Sequence, residues 1–165
     1  MAEPQQPDFE LLEGQAAFAA KATELVAGAR MELALLTQEL SERVYSTENF
    51  VAAVRQFVLQ HRHAKLRILV NNTQRAISGG SRIVEFGRKM SSFIEFRELL
   101  EERRMTVREE YLIADGRLLL YRETPAILEA KFYGGVPHEA RLKLKEFDTL
   151  WNESPPAQEL RSLGI

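Results

Sequence analysis

The chain has 165 residues, 45% of them apolar, with 22 basic against 24 acidic side chains and no cysteine. That length is one domain, able to bury roughly 70% of its unfolded surface without a covalent staple. Near-even charge argues against a nonspecific nucleic-acid binder, which draws most of its affinity from phosphate neutralisation; the missing cysteines exclude disulfides, thiolate metal sites and a thiol nucleophile.

Met1 to about Pro7 is polar and proline-containing, and an N-terminal arm is expected over residues 1–13. From Gly14 to Arg30, apolar residues recur at Phe18, Ala22, Leu25, Val26 and Ala29, the spacing of a helix. The run Met31-Glu32-Leu33-Ala34-Leu35-Leu36-Thr37 reads as a buried strand, with a helical continuation as the alternative. Thr47 is placed to cap a helix whose face is Phe50, Val54, Phe57 and Val58, with Glu48 favourable to its dipole. His61-Arg62-His63-Ala64-Lys65 suits that helix's C-terminal end. Leu66-Arg67-Ile68-Leu69-Val70-Asn71 then has the mostly apolar interior of a central strand buried on both faces. Helix followed by strand, twice over, predicts a parallel sheet with crossover helices. Ser78-Gly79-Gly80-Ser81 breaks the chain before a third helix marked by Ile83, Phe86, Gly87 and Met90. Phe93-Ile94-Glu95-Phe96-Arg97 reads as the next strand, and 99–104 as a charged link.

A hairpin over 105–122 follows, because Asp115-Gly116 stands between two strand-like runs and that turn needs positive φ. Pro137 opens a last helix carrying Ala140, Leu144, Phe147 and Trp151, and Pro155-Pro156 stops it. The domain is thus expected over 14–154, with a tail at 155–165. The start of the sequence lacks the basic and apolar regions of a secretory signal, and no run of about 18 apolar residues predicts a membrane span. A cytoplasmic setting is expected.

Arg108-Glu109-Glu110-Tyr111-Leu112-Ile113-Ala114-Asp115-Gly116 has the frame His-x-Lys-x4-Asp-Gly, with Asp and Gly kept. With the order of elements and the ending Phe147-Asp148-Thr149-Leu150-Trp151, it resembles one half of the phospholipase D superfamily, over roughly Phe18 to Trp151. The resemblance implies an α/β fold with a mixed, largely parallel sheet flanked by helices. In that family the His attacks phosphorus to form a phospho-enzyme, the Lys holds phosphate oxygens and the Asp orients a His. Here Arg108 takes the His position and Glu110 the Lys position. Guanidinium binds phosphate but stays protonated and cannot act as the nucleophile, while a carboxylate beside phosphate adds repulsion. The Gly-Ser expected after the Asp is replaced by Tyr121-Arg122-Glu123-Thr124.

No catalytic residue, metal site or cofactor is therefore expected. The candidate ligand-binding residues are Arg108, Glu110, Asp115, Asn71 and Asn72. Each has a plainer reading. Arg108 and Glu110 would form a surface ion pair worth about 0–1 kcal/mol, Asp115 a turn, and Asn71 and Asn72 loop caps rather than a ligand site at a strand end. His63-Ala64-Lys65 is a literal His-x-Lys without the following Asp, and His61 with His63 lacks a third metal ligand. His138 reads as a surface residue, Lys143 with Lys145 as a solvated helix face, and Arg103-Arg104 as offset by Glu101-Glu102. The expected function is a non-catalytic structural or regulatory binding module. The alternatives are a divergent phosphodiesterase or phosphotransfer enzyme working from other residues, and a nucleic-acid-binding domain. The expected partner is a second copy of the chain, because in the family the site forms between two halves; a phosphate-containing ligand is the alternative partner, and nucleic acid is not expected.

Overall fold

The computed structural model describes residues 8–78 and 81–161. Its elements run β1 (Glu10–Glu13), α1 (Gln15–Gly28), β2 (Glu32–Thr37), α2 (Glu42–Tyr45), α3 (Glu48–Gln60), β3 (Lys65–Val70), α4 (Thr73–Ile77), α5 (Arg82–Lys89) and β4 (Ile94–Glu98). A 3₁₀ turn (Glu101–Arg103) leads to β5 (Glu110–Ala114), β6 (Leu118–Arg122), β7 (Glu129–Tyr133), α6 (Pro137–Glu153) and α7 (Gln158–Arg161). The strands form one sheet in the order β1-β7-β6-β5-β2-β3-β4.

The parallel part is confined to β2, β3 and β4, whose crossovers carry the helices. All other pairings are antiparallel. The sheet is thus mixed but not largely parallel, since the second half of the chain advances by hairpins that need no crossover helix. At Asp115-Gly116 the turn forms as the dipeptide demands, with φ of 53° and 64°.

Alternation along the strands sends side chains into two cores. Leu33, Leu35, Ile68, Leu112 and Leu120 pack against α1, α3, α5 and α7 on one face. Ala34, Leu36, Leu69, Tyr111, Ile113 and Leu119 meet Ala140, Phe147 and Trp151 of α6 on the other. Thr47 caps α3 by accepting from the Phe50 N–H, and Pro137 stands in the first turn of α6.

Several boundaries differ from expectation. Glu10–Glu13, assigned to the arm, pairs antiparallel with β7, although residues 1–7 lie outside the described part. Residues 155–157, assigned to the tail, bind the edge of β4: the Glu98 N–H donates to Pro155 O at 2.9 Å and the Ala157 N–H to Phe96 O at 3.0 Å. Burial of Ala157 and Leu160 follows, so the folded unit reaches past 154. β3 is buried on both faces as expected, with Leu66, Ile68 and Val70 in one core and Leu69 in the other, while Arg67 on the α6 side is partly covered, ion-paired with Asp148 at 2.9 Å and stacked over Phe147. Of the expected break at 78–81, Gly79 and Gly80 are outside the described residues.

Candidate functional site

Parallel strands β2 and β3 deliver Thr37 and Val70 to one end of the sheet, and antiparallel β5 begins there with Glu110. At that end Glu110 is 2% exposed. Its carboxylate accepts from the Thr37 hydroxyl at 2.9 Å, the Gln38 backbone N–H at 2.9 Å and the Tyr45 hydroxyl at 2.5 Å. Arg122 lies opposite Glu110 in the β5–β6 register. It too is buried, with its guanidinium 4.2 Å above the Phe18 ring and Nη1 donating to Gln15 Oε1 at 2.9 Å. Burial raises the Glu110 pKa and outweighs Tyr45, Gln38, Thr37 and the Arg122 charge, all of which favour the carboxylate. Burial and the neighbouring Glu110 also push the Tyr45 hydroxyl well above its ordinary value, so it stays a donor.

The network continues outward. The Gln38 side-chain amide donates to Val107 O and Glu109 O at 3.2 and 2.9 Å. Asn71 Nδ2 donates to Gln38 Oε1 at 2.8 Å and to Arg104 O and Val107 O at 3.1 Å each. Glu110, Gln38 and Asn71 together therefore pin the 104–109 loop over the strand ends. Asn72 accepts from the Arg75 N–H at 3.1 Å and caps α4. A shallow cavity of about 370 Å³ remains above, lined by Gln38, Glu39, Asn71, Asn72, Arg104, Met105, Arg108, Thr124, Pro125 and Ala126. Arg104 is held by Glu98 at 2.7 Å. Arg108 is exposed and, among the described residues, donates only to Met105 O, at 3.4 Å.

Arg108, Asn71 and Asn72 thus share the cavity, while Glu110 lies beneath it and faces the interior. Arg108 and Glu110 do not form the surface ion pair considered from sequence, because Glu110 is enclosed by Thr37, Gln38 and Tyr45. Asp115 is five residues further along, about 17 Å at the rise of a strand. Its carboxylate accepts from the backbone N–H groups of Arg30, Met31 and Glu32 at 2.8–2.9 Å, tying the α1–β2 connection to the hairpin. The backbone at Asp115 does form a turn, but the turn reading did not foresee that its carboxylate would hold a segment 83–85 residues away. Thr37, Gln38, Tyr45, Arg104 and Arg122 were missed from sequence; only the position of Thr37 and Gln38 at the end of a strand was a signal.

Of the remaining polar residues, His138 is exposed as expected. Lys143 is not a solvated cation: it lies between Glu109 and Glu146 at 2.9 and 2.8 Å. Burial opposes its charge, and those two carboxylates still raise its pKa. Arg103 pairs with Glu153 rather than with its neighbours in sequence. Among the described residues, no cluster of three or more His, Cys, Asp or Glu side chains is arranged to hold a metal ion. No helix among them is long and apolar enough to cross a membrane.

A seven-stranded mixed sheet with this hairpin and closing helix is the phospholipase D-like fold. It is shared with Nuc of Salmonella typhimurium, a phospholipase D family member (TM-score 0.63, 14% identity, 92% of this chain and 98% of that one). NucT from Helicobacter pylori matches similarly (0.62, 12%, 90% and 98%). Phosphatidylserine synthase of Haemophilus influenzae gives 0.69 at 12% identity, over 98% of this chain and 40% of its own. TrmBL2, an archaeal chromatin protein whose structure shows a novel mode of DNA binding, gives 0.64 at 16%, over 94% and 56%. The chain therefore spans about half the length of these last two proteins. At such identities the likeness is one of fold. The chain belongs to the family described as a domain of unknown function, DUF7931, whose model matches residues 14–163. No curated protein sequence matches it.

Proposed function

We propose that this chain is a non-catalytic phospholipase D-like module that binds a protein partner, a second copy of itself, through the face around Arg108. The observation that carries this reading is the use made of Glu110. Where the family frame places a phosphate-holding lysine, this chain has a carboxylate enclosed by Thr37, Gln38 and Tyr45. Those bonds take three of the roughly four lone-pair sites of its two oxygens. Arg108, at the nucleophile position, has a guanidinium that remains protonated near neutral pH. These two features support the degenerate reading of the motif and, with it, the loss of phosphodiester chemistry. A cytoplasmic setting agrees with a chain that needs no disulfide.

The cavity rim also supports an interaction role. Met105 is 76% exposed beside Arg108, and Pro125 and Ala126 line the same opening. Ile127 and Leu128, both exposed, continue that loop. Met and Arg over an apolar rim is the composition of protein interfaces rather than of phosphate sites. Light scattering at micromolar concentration is expected to give twice the 18.9 kDa chain mass, and Met105→Glu is expected to return it to one chain. A single-chain mass across the dilution series would remove the dimer. Nucleic-acid binding is favoured by the exposed Arg108 guanidinium and by the likeness in fold to the DNA-binding TrmBL2, and it requires binding that falls steeply with salt and with Arg108→Ala.

A further inference from the structure

A cavity of about 860 Å³ lies away from the Arg108 face, where β2, β3 and β4 begin. Its lining includes Glu32, Lys65, Arg67, Arg88, Ser91, Ser92, the 93–96 segment, Asp148 and Arg161. β4 is an edge strand, and a row of backbone groups on such a strand invites another chain to pair. The parallel register with β3 turns the backbone groups of Ile94, Phe96 and Glu98 outward. Three are occupied: the Ile94 N–H donates to Met90 O, Phe96 O accepts from the Ala157 N–H, and the Glu98 N–H donates to Pro155 O. The Phe96 N–H and the Ile94 C=O, at the cavity's floor, have no hydrogen-bond partner among the described residues. Residues 155–157 show that this edge accepts an extended segment, because they bind its other half in antiparallel sense.

The charges around this half-edge are unequal. Arg67 is paired with Asp148, and Glu95 with Arg97. Among the described residues, Lys65, Arg88 and Arg161 have no carboxylate within ion-pair distance, and Glu32 is the one lining acid without a cation. Arg88 donates to Leu160 O and Glu159 O, both at 2.8 Å, which fixes α7 as a wall but leaves the guanidinium charge uncompensated.

We propose that the lower half of β4 receives an extended acidic peptide as an added strand. Its main chain pairs with the Phe96 N–H and the Ile94 C=O, and its carboxylates meet Lys65, Arg88 and Arg161. Main-chain pairing supplies affinity in such additions and alternate side chains supply specificity. Here the charge of the groove selects an acidic partner over a basic one.

The test is fluorescence anisotropy on the full chain with two labelled hexapeptides, one alternating Glu and Val, the other Lys and Val. The acidic peptide is expected to bind and the basic one to bind at least tenfold more weakly. The double variant Lys65→Glu with Arg161→Glu, both at exposed side chains, is expected to lose the acidic peptide by tenfold or more. Circular dichroism confirms its folding, and if it unfolds, Lys65→Gln alone replaces it with a smaller expected loss. In amide-resolved NMR the Phe96 resonance is expected to move on adding the acidic peptide. Equal binding of both peptides, a stationary Phe96 resonance, or shifts confined to residues around Arg108 would overturn the proposal. So would inorganic phosphate reproducing the same shifts at millimolar concentration, which would make the groove a small-anion site. The outcome is independent of the reading of the Arg108 face.

Discussion

Replacing Glu110 by Ala is expected to cost about 4–6 kcal/mol. Three donors converge on this carboxylate: the Thr37 hydroxyl, the Gln38 N–H and the Tyr45 hydroxyl. Each buried donor left without an acceptor costs about 1–3 kcal/mol. Arg122, opposite in the β5–β6 register but not in ion-pair contact, would also lose a nearby compensating charge, a smaller effect. These terms overlap and solvent will enter the space left behind, so the expected total is below their sum. Glu110→Gln keeps the shape and one acceptor and should cost roughly half as much. The assay is urea denaturation followed by circular dichroism, with the slope held constant between variants. The sign of the pH dependence is fixed as well. Burial raises the folded-state pKa of Glu110, so its ionisation favours the unfolded chain. Stability from this group is complete below its unfolded pKa of about 4.3 and declines as pH rises through the folded value. Glu110→Gln should remove that part of the slope. An Ala variant within about 0.5 kcal/mol of the parent would refute the reasoning, because the carboxylate would then be solvated and available to a ligand.

Trp151→Ala should cost about 3–5 kcal/mol in the same assay, because Trp151 is buried against the sheet with Arg97 stacked 4.4 Å from its ring; an unchanged midpoint would make α6 peripheral. Gly87→Ala should destabilise by about 1–3 kcal/mol, since a Cβ there would meet Phe96 Cε2 at 2.4 Å. Calorimetry would check that variant, and a rise in Tm would show that the α5–β4 contact yields readily. Asp115→Ala should cost about 1–2 kcal/mol, because the Arg30 and Met31 donors are exposed and regain water while that of Glu32 is partly buried, and it should leave the chain's mass in light scattering unchanged.

The elements legible in the sequence were those with strong local signals. Thr47 announced a capped helix, Asp115-Gly116 a hairpin, and Phe147 with Trp151 the buried face of the last helix. β1 escaped because Glu10-Leu11-Leu12-Glu13 is too short for a period, and its pairing partner lies more than a hundred residues away. α7 escaped because Pro155-Pro156 looked like an ending, whereas that extended segment is what pairs with β4. At the candidate site, the sequence located the end of the sheet but misjudged the direction of its side chains. Arg108 and Glu110 look equivalent at a spacing of two. β5 begins at Glu110, however, so one residue belongs to the buried sheet and the other to the rim. The partners of Glu110 come from β2 and α2, which no local pattern could bring together.

Hydrolysis of bis-nitrophenyl phosphate by the purified chain and by its Arg108→Ala and Glu110→Gln variants tests the central claim most directly. No turnover above the uncatalysed rate is expected from any of the three, because Arg108 supplies no nucleophile and Glu110 is committed to Thr37, Gln38 and Tyr45. Turnover by the parent chain that disappears in Arg108→Ala while the variant remains folded would contradict the account.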